Sequence, residues 1–223
     1  MNNKITAIII ISALLTGCTY YPATHPKTDH YYINPQKDIF SVGKVAIVEL
    51  ENNSSSPQIA METTEAIFQA MQKKQIFSIS VVRQSDPAWK NLNMDINSKY
   101  DIQKFSDVQD ALKCNAALLG TITYYQPFPH MAIGLRLKLV DLDDGKLLWA
   151  LEQIWDTADK TTEKCIKNYF QHQVRSGCAP LGEQVVTIST SKFVKFVAYE
   201  VSETLKPSPL PVFDMIPELW SAR

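Results

Sequence analysis

Between Ala116 and Thr157 the chain holds three strand-length apolar runs, AALLGTITYYQ, MAIGLRLKLVDL and LLWALEQIWDT, separated only by PFPH and DDGK. Breaks this short cannot carry a crossover, so consecutive runs must pair side by side and antiparallel. The Asp-Gly of the second break supplies the positive-φ position that a tight hairpin demands. Along the middle run Ile133, Leu135, Leu137 and Leu139 alternate with Gly134, Arg136, Lys138 and Val140. That alternation predicts one buried face and one wet face. A meander of this kind cannot stand alone, because its apolar face needs helices from elsewhere in the chain.

The flanking segments supply them. GKVAIVEL (residues 43–50) is a continuous apolar run rich in Val and Ile, expected of a strand covered on both faces. After NNSSSP, residues 57–73 repeat apolar positions at three-four spacing, which predicts a helix with Ser56 as N-cap and Pro57 in its first turn. IFSISVVRQ (76–84) reads as a further strand, 85–100 as loop and ragged helix, and a short helix is expected from Ser106. Residues 160–173 have helical character. STSKFVKFVAYEVSETL (189–205) gathers Phe193, Phe196, Val197, Glu200, Val201 and Thr204 on one face of a last helix ended by Pro207. The order of elements predicts one α/β (α+β) domain, a mixed sheet with an antiparallel meander flanked by helices.

Charge excludes one class of partner. Lys and Arg total 22 against 23 Asp and Glu, with no basic block, so no nucleic-acid partner is expected. The search for chemistry is equally lean: no Gly-rich phosphate loop, H-E-x-x-H or G-x-S-x-G occurs. His172 and Cys178 are the nearest approach to a thiolate-imidazole pair. Cys178 competes for another role, since a disulfide to Cys165 in an oxidising compartment would stabilise by about 3 kcal/mol, and that pairing stays open. Cys114 reads as a small buried hydrophobe. His25, His30, His130 and His172 are too dispersed for a metal site. Asp141, Asp143 and Asp144 beside Gly145 lack the spacing and distal Glu of a calcium loop and read as a solvated turn. The expectation is a protein that is not an enzyme and holds no metal or other cofactor.

The first residues decide where such a protein works. Lys4 precedes the apolar run Ile5–Leu15, too short to span a bilayer of about 30 Å but suited to the core of an export signal. Leu15-Thr16-Gly17-Cys18 resembles the lipobox of bacterial lipoproteins. That resemblance implies cleavage after residue 17 and a covalent diacylglycerol and acyl chains on Cys18, which hold the protein on a membrane. Thr19, in place of Asp, implies the outer membrane with the domain facing the periplasm, the inner membrane being the alternative. Residues 18–42, with Pro22, Pro26 and Pro35, read as a flexible tether whose Tyr20, Tyr21, Tyr31 and Tyr32 either pack on a partner or at lipid headgroups, or are simply solvated.

The runs AALLGTI (Ala116–Ile122) and LKLVDLDDGKLLW (Leu137–Trp149), followed by a long last helix, resemble the CsgG, LpoB and TolB-amino-terminal group of envelope lipoproteins over residues 43–205. The matching motifs are structural: a covered strand and a tight turn. The resemblance implies an accessory or regulatory subunit that binds an envelope protein or machine, such as a cell-wall synthase, a secretion apparatus or a flagellar apparatus. Its alternative is a self-assembling ring or channel subunit of the curli-secretion type, although YYQPFPHM is too short to supply that channel's long hairpins. The C-terminal tail, 206–223, carries Phe213, Ile216, Leu219 and Trp220, which either dock on the partner or fold back on the domain. Replacing Cys18 by Ser is expected to move the protein from the membrane pellet to the soluble fraction; equal membrane retention in a fractionation of both forms would overturn the anchor.

Overall fold

The computed structural model describes residues 30–91, 102–172 and 189–205. Seven strands form one mixed sheet: β1 (Tyr31–Ile33), β2 (Lys44–Val48), β3 (Glu51–Asn52), β4 (Ser78–Val82), β5 (Ala116–Gln126), β6 (Ala132–Asp141) and β7 (Leu147–Asp156). Their order is β1-β7-β6-β5-β2-β4, with β3 beside β5. The α-helices are α1 (Ile59–Lys74), α2 (Pro87–Lys90), α3 (Ile102–Leu112), α4 (Lys160–His172) and α5 (Thr190–Glu203). The expected meander β5-β6-β7 is antiparallel, whereas β2 joins β5 and β4 in parallel. A parallel pair needs a crossover, and α1 provides the one from β2 to β4.

The two faces of the sheet bury unequal amounts. On one face Val45, Ile47, Leu118, Ile133, Leu135, Leu137, Leu139, Trp149, Leu151 and Trp155 pack against Ile59, Ile67 and Met71 of α1, Ile166 of α4, and Phe193, Phe196, Val197 and Val201 of α5. The buried indole of Trp149 donates to the Thr204 hydroxyl at 3.2 Å, fastening the end of α5 to the middle of β7. Thr64 does the same for α1, accepting from Leu50 N at 3.1 Å and donating to Ala60 O at 2.7 Å. On the other face Ala46, Val48, Val82, Ala117 and Leu119 form a smaller core with Trp89 of α2, Phe105 and Val108 of α3, Cys114 and Leu142. This second layer covers β2 and the first half of β5, so the continuous apolar run of β2 is buried on both faces as expected.

Several expectations shift. The helix predicted from residue 57 begins at Ile59, with Gln58 rather than Ser56 in the capping position and no side-chain cap hydrogen bond; the Ser56 carbonyl accepts from Asn52 Nδ2 at 2.8 Å and from Ile59 N at 3.3 Å. The helix expected from Ser106 begins at Ile102, and its Phe105 lies over the hairpin turn. Gly145 has φ +70°, and a Cβ there would stand 2.7 Å from Phe105 Cε2, so glycine serves both the turn and the packing. Trp89, isolated in the sequence, is a core residue. Val140, expected on the wet face, packs against the second core, and Gly134 is buried.

The stretch read as a tether does not remain one up to residue 42. Tyr31–Ile33 pair with Leu151–Trp149 on the open edge of β7, and Asn34 extends the contact by donating to Leu148 O and Leu147 O. An unpaired strand edge offers a row of donors and acceptors, and β1 meets part of it. Ile39, in a 3-10 turn over Ile39–Ser41 capped by Asp38, is 3% exposed. Lys37 then ion-pairs with Asp141 and, at 2.8 Å, with Asp144 on the hairpin turn.

The hydrogen bond from Lys37 is the main cause holding the Asp144 carboxyl at about 2, with Lys146 assisting. A depressed pKa contributes stability above the unfolded value of 3.8 that is lost as pH falls through about 2. The pair is partly exposed, so its worth is about 1 kcal/mol or less. The Tm difference between the wild type and Lys37→Met is therefore expected to be constant from about pH 5 to about pH 9 and to close as the pH falls toward 2; a constant gap down to that pH would refute the linkage.

Candidate functional site

The part of the second face that α2 and α3 leave open is the candidate site. It is built from β1, β7, β6 and the latter half of β5. Registers place Tyr32 opposite Ala150, Ala150 opposite Lys138, Glu152 opposite Arg136, and Ile154 and Tyr124 on either side of Gly134. In antiparallel pairs opposed residues share a face, so these side chains form one surface. Tyr32 is 46% exposed, Tyr124 43% and Ile154 60%.

A bulge in β5 shapes this surface. The register shifts between Ile122 and Tyr124, so Thr123 has no opposite number and Tyr124 lies against Gly134. A Cβ on Gly134 would stand 2.6 Å from Thr123 Oγ1, 3.2 Å from Ile154 Cγ1 and 3.3 Å from Tyr124 Cβ. The missing side chain lets Tyr124 and Ile154 close over the middle strand. Next to them Arg136 and Glu152 form a 2.7 Å ion pair. The shared hydrogen bond raises the Arg136 guanidinium and lowers the Glu152 carboxyl. Lys138 adds a second cation, and an open groove runs between it, Ala150, Tyr32 and His30.

At the end of this surface the β5–β6 connection, residues 127–131, is braced on both sides. Met131 N donates to Thr157 Oγ1 at 3.0 Å, Thr157 N donates to Met131 O at 2.9 Å, and His130 Nε2 lies 3.4 Å from Asp156 Oδ2. The loop holds out Phe128, which is 81% exposed.

The residues singled out in the sequence fall elsewhere. Cys18, Cys178, Phe213, Ile216, Leu219 and Trp220 lie outside the described residues. Cys165 is half-buried on α4 against the main core, so its pairing with Cys178 is not brought into view. His172 ends α4. Cys114 is 3% exposed, and desolvation pushes its thiol pKa up. The aspartates of the turn have other occupations: Asp141 Oδ1 accepts from Asp143 N, Asp144 Oδ1 accepts from Lys146 N, and Asp143 accepts from Gln109 at 2.7 Å. Among the described residues no group of three His, Cys, Asp or Glu could hold a metal ion.

Sequence reasoning identified the wet face of β6 but missed the Tyr124–Gly134–Ile154 grouping and Phe128. The alternation in β6 shows which residues face outward; it does not show the bulge that brings Tyr124 opposite Gly134.

No protein-family model matches the chain, and neither does any curated protein. Among solved structures the chain is similar to a lipoprotein from Neisseria meningitidis, with 14% identity, 60% of this chain and 99% of that one covered, and a TM-score of 0.41. It is similar to the LpoB C-terminal domain from Salmonella enterica, with 20% identity, coverage of 53% and 87%, and a TM-score of 0.39. It is also similar to a PelC dodecamer from Paraburkholderia phytofirmans, with 12% identity, coverage of 57% and 80%, and a TM-score of 0.41. Scores of this size carry no argument about activity.

Gly134→Ala is expected to cost about 1–3 kcal/mol, because the added methyl displaces Thr123 and the two flanking side chains. Urea unfolding would show it as a lower midpoint at unchanged slope, and an unchanged midpoint would mean that the surface has room at this point.

Proposed function

We propose that this chain is a lipid-anchored, periplasm-facing accessory protein without catalytic activity, which binds an envelope protein through the open face of its meander. The outer membrane is its place, and a cell-wall synthase, a secretion apparatus or a flagellar apparatus is the class of machine it serves. The lipobox ending at Cys18 supports the anchor. No helix among the described residues is long and apolar enough to cross a membrane.

The observation that carries the reading is the open face itself. Tyr32, Tyr124 and Ile154 are exposed around an ion pair that is already matched within the chain. Apolar and aromatic groups around a fixed polar centre suit a protein interface, where buried aromatics supply affinity and polar pairs supply register. On this face Arg136 and Lys138 stand against Glu152 and Glu51, whose carboxylate accepts from the Thr121 hydroxyl at 3.4 Å, so the charges at its centre are balanced. Its partner therefore offers an apolar surface whose polar groups fit around this matched centre.

The reading is tested by placing a photocrosslinking amino acid at Ile154 and, as a control of similar exposure on α1, at Met61. In living cells position 154 is expected to capture one dominant heterologous envelope protein, and Lys138→Glu to abolish the capture. Capture at 61 alone, or of this chain only, would overturn it. Leu219→Ala with Trp220→Ala in the same assay decides whether the tail shares the contact.

A further inference from the structure

We propose that the β5–β6 loop inserts the Phe128 ring into the lipid surface that carries the anchor, so that the domain stands on the membrane by its loop end. This deepens the reading above and rests on lipidation at Cys18.

Four observations converge on it. The first is direction: β1 runs antiparallel to β7, so its first residue lies on the side of the pairing that faces the end of the sheet where β7 finishes, which is also the end that carries the β5–β6 loop. The second is reach: His30 O accepts from Glu152 N, and Glu152 lies about 13 Å along β7 from the loop end at Asp156, well within the about 40 Å that the residues between Cys18 and His30 can extend.

The third is the ring. Phe128 is the most exposed large apolar side chain among the described residues, at 81%, and the bonds through Met131, Thr157, His130 and Asp156 hold the loop in place beneath it. The fourth is the backbone. Pro127 and Pro129 flank the ring and have no N–H, so entry into the interface strands fewer donors than it would for other residues. Aromatic rings are favoured at the headgroup level. Tyr124, 43% exposed and opposite Gly134 near the start of β6, stands behind the tip on the open face.

The chemistry also specifies the kind of surface. His130 beside Asp156 makes the tip a paired site rather than a basic one. The contact is apolar, so it should not depend on anionic lipid or weaken with salt.

The test uses the full-length lipidated protein, wild type and Phe128→Trp, in vesicles of phosphatidylethanolamine and phosphatidylglycerol with and without brominated acyl chains. Subtracting wild-type emission removes the native tryptophans. The expected result is that brominated lipid quenches most of the added Trp emission, equally at low and high salt and at any phosphatidylglycerol fraction. Flotation of the wild type and Cys18→Ser on the same vesicles reports the anchor separately. A wild type that floats while its Phe128→Trp emission is unquenched overturns the tip contact and leaves the anchor standing. A photocrosslink from position 128 to a protein would then assign the loop to the partner. A wild type that fails to float overturns both.

Discussion

Burial of Ile133, Leu135, Leu137 and Leu139 beneath α1 and α5 is the constraint from which the rest follows. Side chains alternate with period two along a strand, so once the odd positions of β6 are committed to the core, Gly134, Arg136 and Lys138 have to face the other way. Pairing passes that decision to β5 and β7, where Tyr124, Glu152 and Ile154 take the same outward face. The candidate surface is therefore the reverse side of the core.

What makes that reverse side available is the unequal length of the two helical layers. α1 and α5, of 16 and 14 residues, lie side by side over the broad face and end in the Lys74–Glu203 ion pair. The layer on the other face consists of α2, a single turn of 4 residues, and α3, of 11. Helices of that size reach β2 and the start of β5 and stop there. Among the described residues this face is only half covered, and exposed groups on one contiguous surface are more informative than the same groups scattered.

The meander was legible because its signal is local: period-two alternation, short breaks and an Asp-Gly turn whose glycine has the positive φ expected of it. The apolar face of α5 was equally legible, since Phe193, Phe196, Val197, Glu200, Val201 and Thr204 are all buried. Helix starts were not, because they depend on competition for single groups. Gln58 rather than Ser56 stands at the cap of α1, and α3 begins four residues before Ser106, with Phe105 packed against the hairpin turn at Gly145. The place of Tyr31–Ile33 was not legible either, since a run of three residues gains its structure from the edge it meets and has no period of its own.

The sequence by itself determined the antiparallel meander, the continuous buried strand before it, the apolar face of the last helix and the buried side of β6. These are set by neighbours a few residues apart, through side-chain period and turn chemistry. Only the tertiary structure decided that Tyr32, Tyr124 and Ile154 share a surface, that Gly134 lies between two of them, and that β1 starts on the side of its pairing that faces the end of the sheet carrying Phe128. Those relations join residues up to about 120 positions apart, and they depend on register, a bulge and strand direction, which no local pattern encodes.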